Sequence, residues 1–494
     1  MTCRRTSFTR RPATTADQCH IVQVTTDLLS NDSLLKIFDL LVDDNDSIDA
    51  WYPLMHVCRK WRNIVFGSPR RLNLHLHRSA GRPVGDLLDI WPDLPIVIRL
   101  YDPPTWGVDN VVAALAHTDR VYEISLGMVA ISLLEVFFAA MRVPFPALIR
   151  LAFLSKHETV PIAPDSFLGE SAPHLRSLYL GRVPFPGLPK PLLSATDLIR
   201  LTLGQVPHSG YISPEAMVTC LSTLTRLEFL RLDFESPRSY PDRKSQHLPR
   251  PTSFVFPALT QFEFRGVSEY LEDFVAQIDA PLLDELYVIF FHQLILHTPH
   301  LAHFINRSPK LKPHNEAQVI FLDDAVQVLL GSLQRVILRT RCKPSDWQLS
   351  FVALVCTSLS PLVTTLEHLF ICEDSRSRCQ EDIESIQWLE LLRPFTNVKN
   401  LYLSEGVVPR VAPALQELVE GSVTEVLPGL ESLLFLEEPH PSGRIDESCI
   451  SKPAQKAIGM FVAARQLSKR LTNSRDWRGR GTSVVGQRFT GLFD

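Results

Sequence analysis

The sequence predicts an α/β chain: a small all-helical unit near the N-terminus, then a long array in which a short strand and a returning helix alternate. Three observations predict it. Apolar residues at helical spacing form two clusters between residues 23 and 72, and a six-residue apolar pattern then recurs eleven times between residues 121 and 435. The segments between those copies carry helical periodicity. Length agrees, because 494 residues exceed one compact core and leave either several domains or one extended array.

Residues 1–22 come first. They hold four Arg and no acid before Asp17, which is compatible with a mitochondrial presequence. Pro12 and the missing amphipathic period predict a disordered leader instead. In residues 23–72, Leu34, Ile37, Phe38 and Leu41 fall at i, i+3, i+4 and i+7 and share one helix face, with Asn31 or Asp32 placed to cap it. Leu54, Val57, Trp61 and Ile64 repeat the spacing after the acidic connection "DDNDSID", and "SPRR" is expected to close a third short turn. Three such helices bury too little apolar surface to be comfortably stable alone, so the unit should lean on a partner or on the rest of the chain.

Residues 73–440 hold the array. The pattern Φ-x-x-Φ-x-Φ, with Φ apolar, starts at residues 121, 148, 175, 198, 227, 259, 283, 333, 366, 398 and 430, mostly 23 to 33 residues apart. The gap from 283 to 333 is about double, and "AQVIF" at 317–321 reads as a degenerate copy inside it. Pro146, Pro173, Pro257 and Pro428 stand just ahead of four copies, where Pro favours an extended entry to a strand. Between copies, "SPEAMVTCLSTL" offers Ser213 as a helix cap and Pro214 at the first helical position, while "SEYLEDFVAQI", "SDWQLSFVALV" and "IESIQWLELL" carry helical spacing. A strand and a returning helix, repeated, are the sequence form of a leucine-rich-repeat solenoid, in which stacking completes the core that no single unit can close. The array is irregular, and "SPRSYPDRKSQHLPRP" at 236–251 reads as an exposed insertion.

Residues 441–494 change character again. "AQKAIGMFVAARQLSKRL" predicts an amphipathic helix that caps the open end of the stack. Seven Lys or Arg against one acid between Arg465 and Arg488 predict a solvated basic tail.

Composition narrows the function classes. A net charge of −4 and a pI near 6.5 argue against a nucleic-acid partner, which calls for a basic face. No apolar run reaches the length needed to span a membrane. Nine Cys without a CxxC or regular spacing suit reduced thiols in cytoplasm or nucleus. Neither a GxSxG elbow, a phosphate loop, GxGxxG nor HExxH occurs, so no catalytic residue, cofactor or metal site is assigned. The segment "HTPHLAH", with His297, His300 and His303, reads as an exposed polar turn interrupted by Pro299, and Cys372 with Cys379 reads as a strand end and a charged loop.

The N-terminal helices carry a resemblance. "LSNDSLLKIFDLL" followed by "VCRKWRNIV" resembles the F-box, whose pattern is Leu-Pro-x-Glu-x-Leu-x-x-Ile-Phe and then Val-Cys-Arg-x-Trp. Leu29, Leu34, Ile37, Phe38, Val57, Cys58, Arg59 and Trp61 match, whereas Ser30 stands in place of Pro and Asp32 in place of Glu. Joined to the repeats, this is similar to the fungal F-box proteins with leucine-rich repeats. The resemblance implies a substrate receptor whose F-box docks on a Skp-type adaptor, and through it on a cullin and a RING protein, while the repeats select a protein substrate. It implies adaptor contact through Leu29, Leu34, Ile37, Phe38, Val57, Cys58 and Trp61. Within that set Cys58 and Trp61 are expected inside the small unit, Leu29, Ile37 and Phe38 at its surface, and Arg59 and Lys60 facing out. The alternative is a leucine-rich-repeat scaffold with a vestigial F-box, a reading to which Ser30 and the acidic connection lend support.

Strand alternation indicates which face would read a substrate. The fourth and sixth residues of each copy face the core, so the fifth faces the concave side. Those residues are Ser125, Ala152, Tyr179, Thr202, Arg231, Glu263, Tyr287, Ile337, Phe370, Tyr402 and Leu434. An exposed ladder so rich in aromatic and aliphatic groups points to a partner surface, with Tyr179, Arg231, Tyr287, Phe370 and Tyr402 as candidate substrate-binding residues.

Overall fold

The structure, a computed structural model, describes residues 29–41, 54, 56–66, 74–76, 84–85, 88, 95–100, 108–156, 162–184, 190–237, 253–291, 296–312, 315–331, 335–342, 345–373, 385–420, 426–436 and 452–467. The leader, the "SPRR" turn, most of the 236–251 insertion, Cys379 and the basic tail lie outside these residues. The chain forms two compact units, Met1–His75 with Asp93–Pro95, and Leu76–Pro92 with Ile96–Asp494.

The first unit contains the helices Asn31–Leu41 and Arg59–Phe66. Ser30, rather than Asn31 or Asp32, caps the first: its Oγ accepts the Ser33 N–H at 3.1 Å. Asp32 instead sits in the first turn, where a negative charge suits the helix dipole. At the second helix the Cys58 Sγ accepts the Trp61 N–H at 3.5 Å. Leu34, Phe38, Leu54, Ile64 and Val65 are buried, so the i, i+4 spacing does build a local core.

The second unit is mixed α/β, with a large, mostly parallel sheet of the kind a leucine-rich-repeat array forms. All eleven copies of the pattern become strands of this sheet, which also takes in Ile96–Leu100. In the strands Arg150–Ser155, Gln261–Gly266 and His368–Glu373, buried residues alternate with half-buried or exposed ones. Among the described residues, helices thus cover one face and leave the other open. Apart from the copy at 121, whose strand begins at Val121 itself, the first Φ of a copy, where described, precedes the strand. Leu148, Leu175, Leu259 and Leu430 are buried and close tight turns by donating to Phe145, Ala172, Phe256 and Leu427 carbonyls at 3.0 to 3.5 Å. Pro146, Pro173, Pro257 and Pro428 are therefore not extended entries. They occupy the second position of a turn, which their fixed φ suits. The residue after the turn then reaches the previous repeat: Arg176 N–H to Ile149 O, Ile199 to Arg176 and Asp284 to Thr260, each at 2.8 Å.

The long gap in the pattern holds a reversed meander. Glu316–Phe321, Ala325–Leu330 and Val336–Arg341 are consecutive antiparallel strands, but the last of them pairs with Glu285–Phe290 and the first with His368–Glu373, both in parallel. "AQVIF" is thus a strand, yet it lies beyond Val336–Arg341 in the sheet rather than before it. At the end of the array the helix Lys452–Leu467 packs on the helix Val408–Glu420. Its Arg465 is fully buried and donates to the carbonyls of Val426 at 2.5 Å and Leu427 at 3.2 Å, in the turn before the last strand.

Candidate protein-binding surfaces

In the helical unit the motif residues separate by exposure. Phe38 is wholly buried, its ring centroid 4.7 Å from that of Trp61, and Leu34 is buried beside it in the sequence period. Phe38 therefore belongs to the local core and not to the surface expected of it. Cys58, Trp61 and Leu29 are half-buried, and Lys60, expected to face out, turns back to give its ammonium to the Leu29 carbonyl at 2.8 Å. What remains outside is Ile37 at 38% exposure and Val57 at 57%, joined by Leu40 at 86%, which the sequence reading did not name. Leu40 falls off the i, i+3, i+4 stripe, and that is the signal that marks it as outward.

On the array, Tyr179, Arg231, Tyr287, Phe370 and Tyr402 share one lateral row of the open face, as side-chain alternation requires. Register links Tyr179, Thr202, Arg231, Glu263, Tyr287 and Ile337 strand by strand, then passes through Leu329 and Gln318 of the meander to Phe370 and Tyr402. The meander matters for spacing. Three strands instead of one separate Tyr287 from Phe370, about 19 Å at the usual strand spacing. Phe370 and Tyr402 stack at 4.2 Å with an 8° tilt, and His368 Nδ1 lies 3.4 Å from the Tyr402 hydroxyl. Tyr179 is 36% exposed, whereas Tyr287, Phe370 and Tyr402 are half-buried by their neighbours in the row.

The centre of this face is charged. Arg231 contacts Asp233 at 3.4 Å and Glu263 at 3.5 Å, and Arg265 lies 3.7 Å from Asp233. Asp233 has a side chain only 3% exposed, and burial raises its carboxyl above the ordinary range against the pull of Arg265 and Arg231. Burial raises Glu263 likewise. Beside them the ring of Tyr179 lies close to Gly181 and Gly204: a Cβ on Gly181 would stand 3.1 Å from the Tyr179 hydroxyl, and one on Gly204 would stand 3.8 Å from it. Burial raises the Tyr179 phenol, which stays protonated and able to donate. Arg182 and Gln205 both have left-handed backbone, φ 57° and 49°, and the Arg182 guanidinium donates to the Gln205 carboxamide. Asp233 and Arg265 lie beyond the sixth residue of their copies, which is why the six-residue pattern passed over them.

The histidine segment is a helix rather than a turn. Pro299–Arg307 begins with Pro in its first turn, and Glu272 of the preceding repeat accepts the His300 and Leu301 N–H groups at 2.8 Å each. His297, His300 and His303 are exposed, and among the described residues no group of three His, Cys, Asp or Glu is placed to hold a metal. Cys220 and Cys356 are buried, which pushes both thiols up to about 12 and leaves them unreactive. No described helix is long and apolar enough to cross a membrane.

No family model and no curated protein matches the sequence. Among solved structures the chain is similar to the leucine-rich repeat-containing protein LegL7 of Legionella pneumophila, at 12% identity and a TM-score of 0.26, over 79% of this chain and 97% of that one. So weak a likeness adds nothing to the register and burial described above, on which the array rests.

Proposed function

We propose that the chain is the substrate receptor of a Skp–cullin–F-box ubiquitin ligase: the helical unit docks a Skp-type adaptor, and the open face of the sheet takes a protein substrate. The observation that carries this is the outward set Ile37, Leu40 and Val57 on a unit whose Phe38–Trp61 core is closed without them. A short helix pair with apolar groups facing solvent is a device for docking on another helix. The uncovered sheet supports the second half, since its row of Tyr, Phe and Arg supplies the residue types that anchor protein partners. The ligase chemistry belongs to the partners, and this chain is not itself a catalyst. Cytoplasm or nucleus is where such a complex would act.

One observation favours a leucine-rich-repeat scaffold with a vestigial F-box: Leu34 and Phe38 are spent on the local core, which leaves fewer of the motif residues to meet an adaptor. Reconstitution separates the two. The purified chain mixed with a recombinant Skp-type adaptor and cullin should elute with them on gel filtration, and a Tyr287→Ala, Phe370→Ala, Tyr402→Ala variant should do the same. Separate elution of the wild-type chain would favour the scaffold.

A further inference from the structure

The charge pattern of the open face narrows the chemistry of what it takes. Across the strands from Ser177–Gly181 to Val336–Arg341, the acids of the three central rows are already engaged. Asp233 is held between Arg231 and Arg265, Glu263 meets Arg231, and Glu285 accepts from the Gln261 amide. Three arginines are not engaged in this way. Arg182, directly after the first strand, Arg200 in the second and Arg339 in the last form no ion pair with any described residue. Arg182 leans on an amide and a carbonyl, Arg200 lies 5.6 Å from the Phe229 ring centroid, and Arg339 keeps a buried Nε–H without an acceptor among the described residues. Among the described residues, a chain of net charge −4 thus sets uncompensated positive charge on the sheet face that the described helices leave bare.

Two further observations make this a built surface. The left-handed backbone of Arg182 and Gln205 is strained for residues with side chains, and such strain persists where surrounding structure holds it, often at binding sites. The glycines at 181 and 204 leave room for Tyr179 to lie along the sheet, its hydroxyl a donor close to Arg182 and Arg231.

Resting on the reading of this face as the substrate surface, we propose that it binds an extended, acidic segment of its protein partner, with Asp or Glu side chains received by Arg182, Arg200 and Arg339 and by the Tyr179 hydroxyl. The two outermost strands of the patch lie five strand spacings apart, about 24 Å, which about seven extended residues span. Arginine is suited to carboxylates because its planar fork donates two parallel hydrogen bonds.

The test measures fluorescence anisotropy of three labelled peptides of about nine residues with the full chain, in which valine alternates with glutamate, with lysine or with phosphoserine. The glutamate peptide should bind and the lysine peptide should not. A variant carrying Arg182→Gln, Arg200→Gln and Arg339→Gln should weaken glutamate binding about tenfold or more, the loss of about 1.4 kcal/mol, with an unchanged thermal melt because the Arg231–Asp233–Arg265 network is intact. No glutamate binding, equal lysine binding, or unaltered affinity in the variant overturns the proposal. Binding of the phosphoserine peptide alone overturns its assignment to carboxylates. Adaptor capture by the same preparation reports separately on the receptor reading, which survives if adaptor binds and the glutamate peptide does not.

Discussion

Ile37 and Phe38 are neighbours in sequence and opposites in exposure: one stands out into solvent and the other closes a core against Trp61. That difference decides which substitutions report on docking and which on folding, since removing a buried Phe costs about 3 to 5 kcal/mol before any partner is involved. On the open face the comparable residue is Asp233. Its folded pKa, like that of Glu263, is raised by burial, so the folded chain holds these protons more tightly than the unfolded one. Their contribution to stability is complete below the unfolded carboxylate values and is lost as pH rises through the raised folded values. Asp233→Asn should therefore flatten the dependence of stability on pH across the weakly acidic range, as read from urea midpoints at a series of pH values. An unchanged slope would mean that Asp233 titrates as an ordinary surface carboxylate. Which residues share a face was legible from alternation alone. How exposed each is was not, because Arg231, for example, is covered by Glu263 of the neighbouring strand, which the one-dimensional pattern does not place.

At the scale of elements, the turn-closing Leu recurs in most copies, as at Leu148, Leu175, Leu198, Leu227, Leu259 and Leu283, and with the alternation after it the strands follow. The reversed meander escaped notice because "AVQVLL" opens on Ala where the eleven copies open on Leu or Val, and because no local pattern in a strand reveals the direction of its neighbour. The helix Pro299–Arg307 escaped notice for a different reason. Its N-terminus is completed by Glu272 from another repeat, a long-range cap that stands outside any local window. This cap yields a prediction. Glu272→Ala leaves two N–H groups without their acceptor and should destabilise the array by about 1 to 3 kcal/mol, whereas Glu272→Gln, which keeps an acceptor oxygen, should lose less. Equal melting temperatures for both variants and the wild type would show that the carboxylate contributes nothing.

For the whole molecule, the issue is how a stack of repeats ends. Phe461, Ile458 and Val462 of the last described helix are buried, and Arg465 satisfies the carbonyls of the final turn. A chain truncated after residue 451 should expose the apolar surface of the helix Val408–Glu420 on which this helix packs and elute as aggregate on gel filtration, because terminal units supply the polar outer face that keeps a repeat array soluble. A monomeric truncated chain would show that the helix is dispensable. The array needs no family knowledge to be read, since repetition and periodicity are physical signals. The receptor role, in contrast, rests on about a dozen residues around Phe38 and Trp61 and on a face whose partner no periodicity encodes.

The most direct measurement is calorimetric titration of a recombinant Skp-type adaptor into the full chain and into an Ile37→Asp, Val57→Asp variant, with a thermal melt of each. Saturable binding by the wild type and its loss in a variant of unchanged melting temperature is the predicted result. No heat from the wild type, or equal binding by the variant, would contradict the docking of an adaptor on this face.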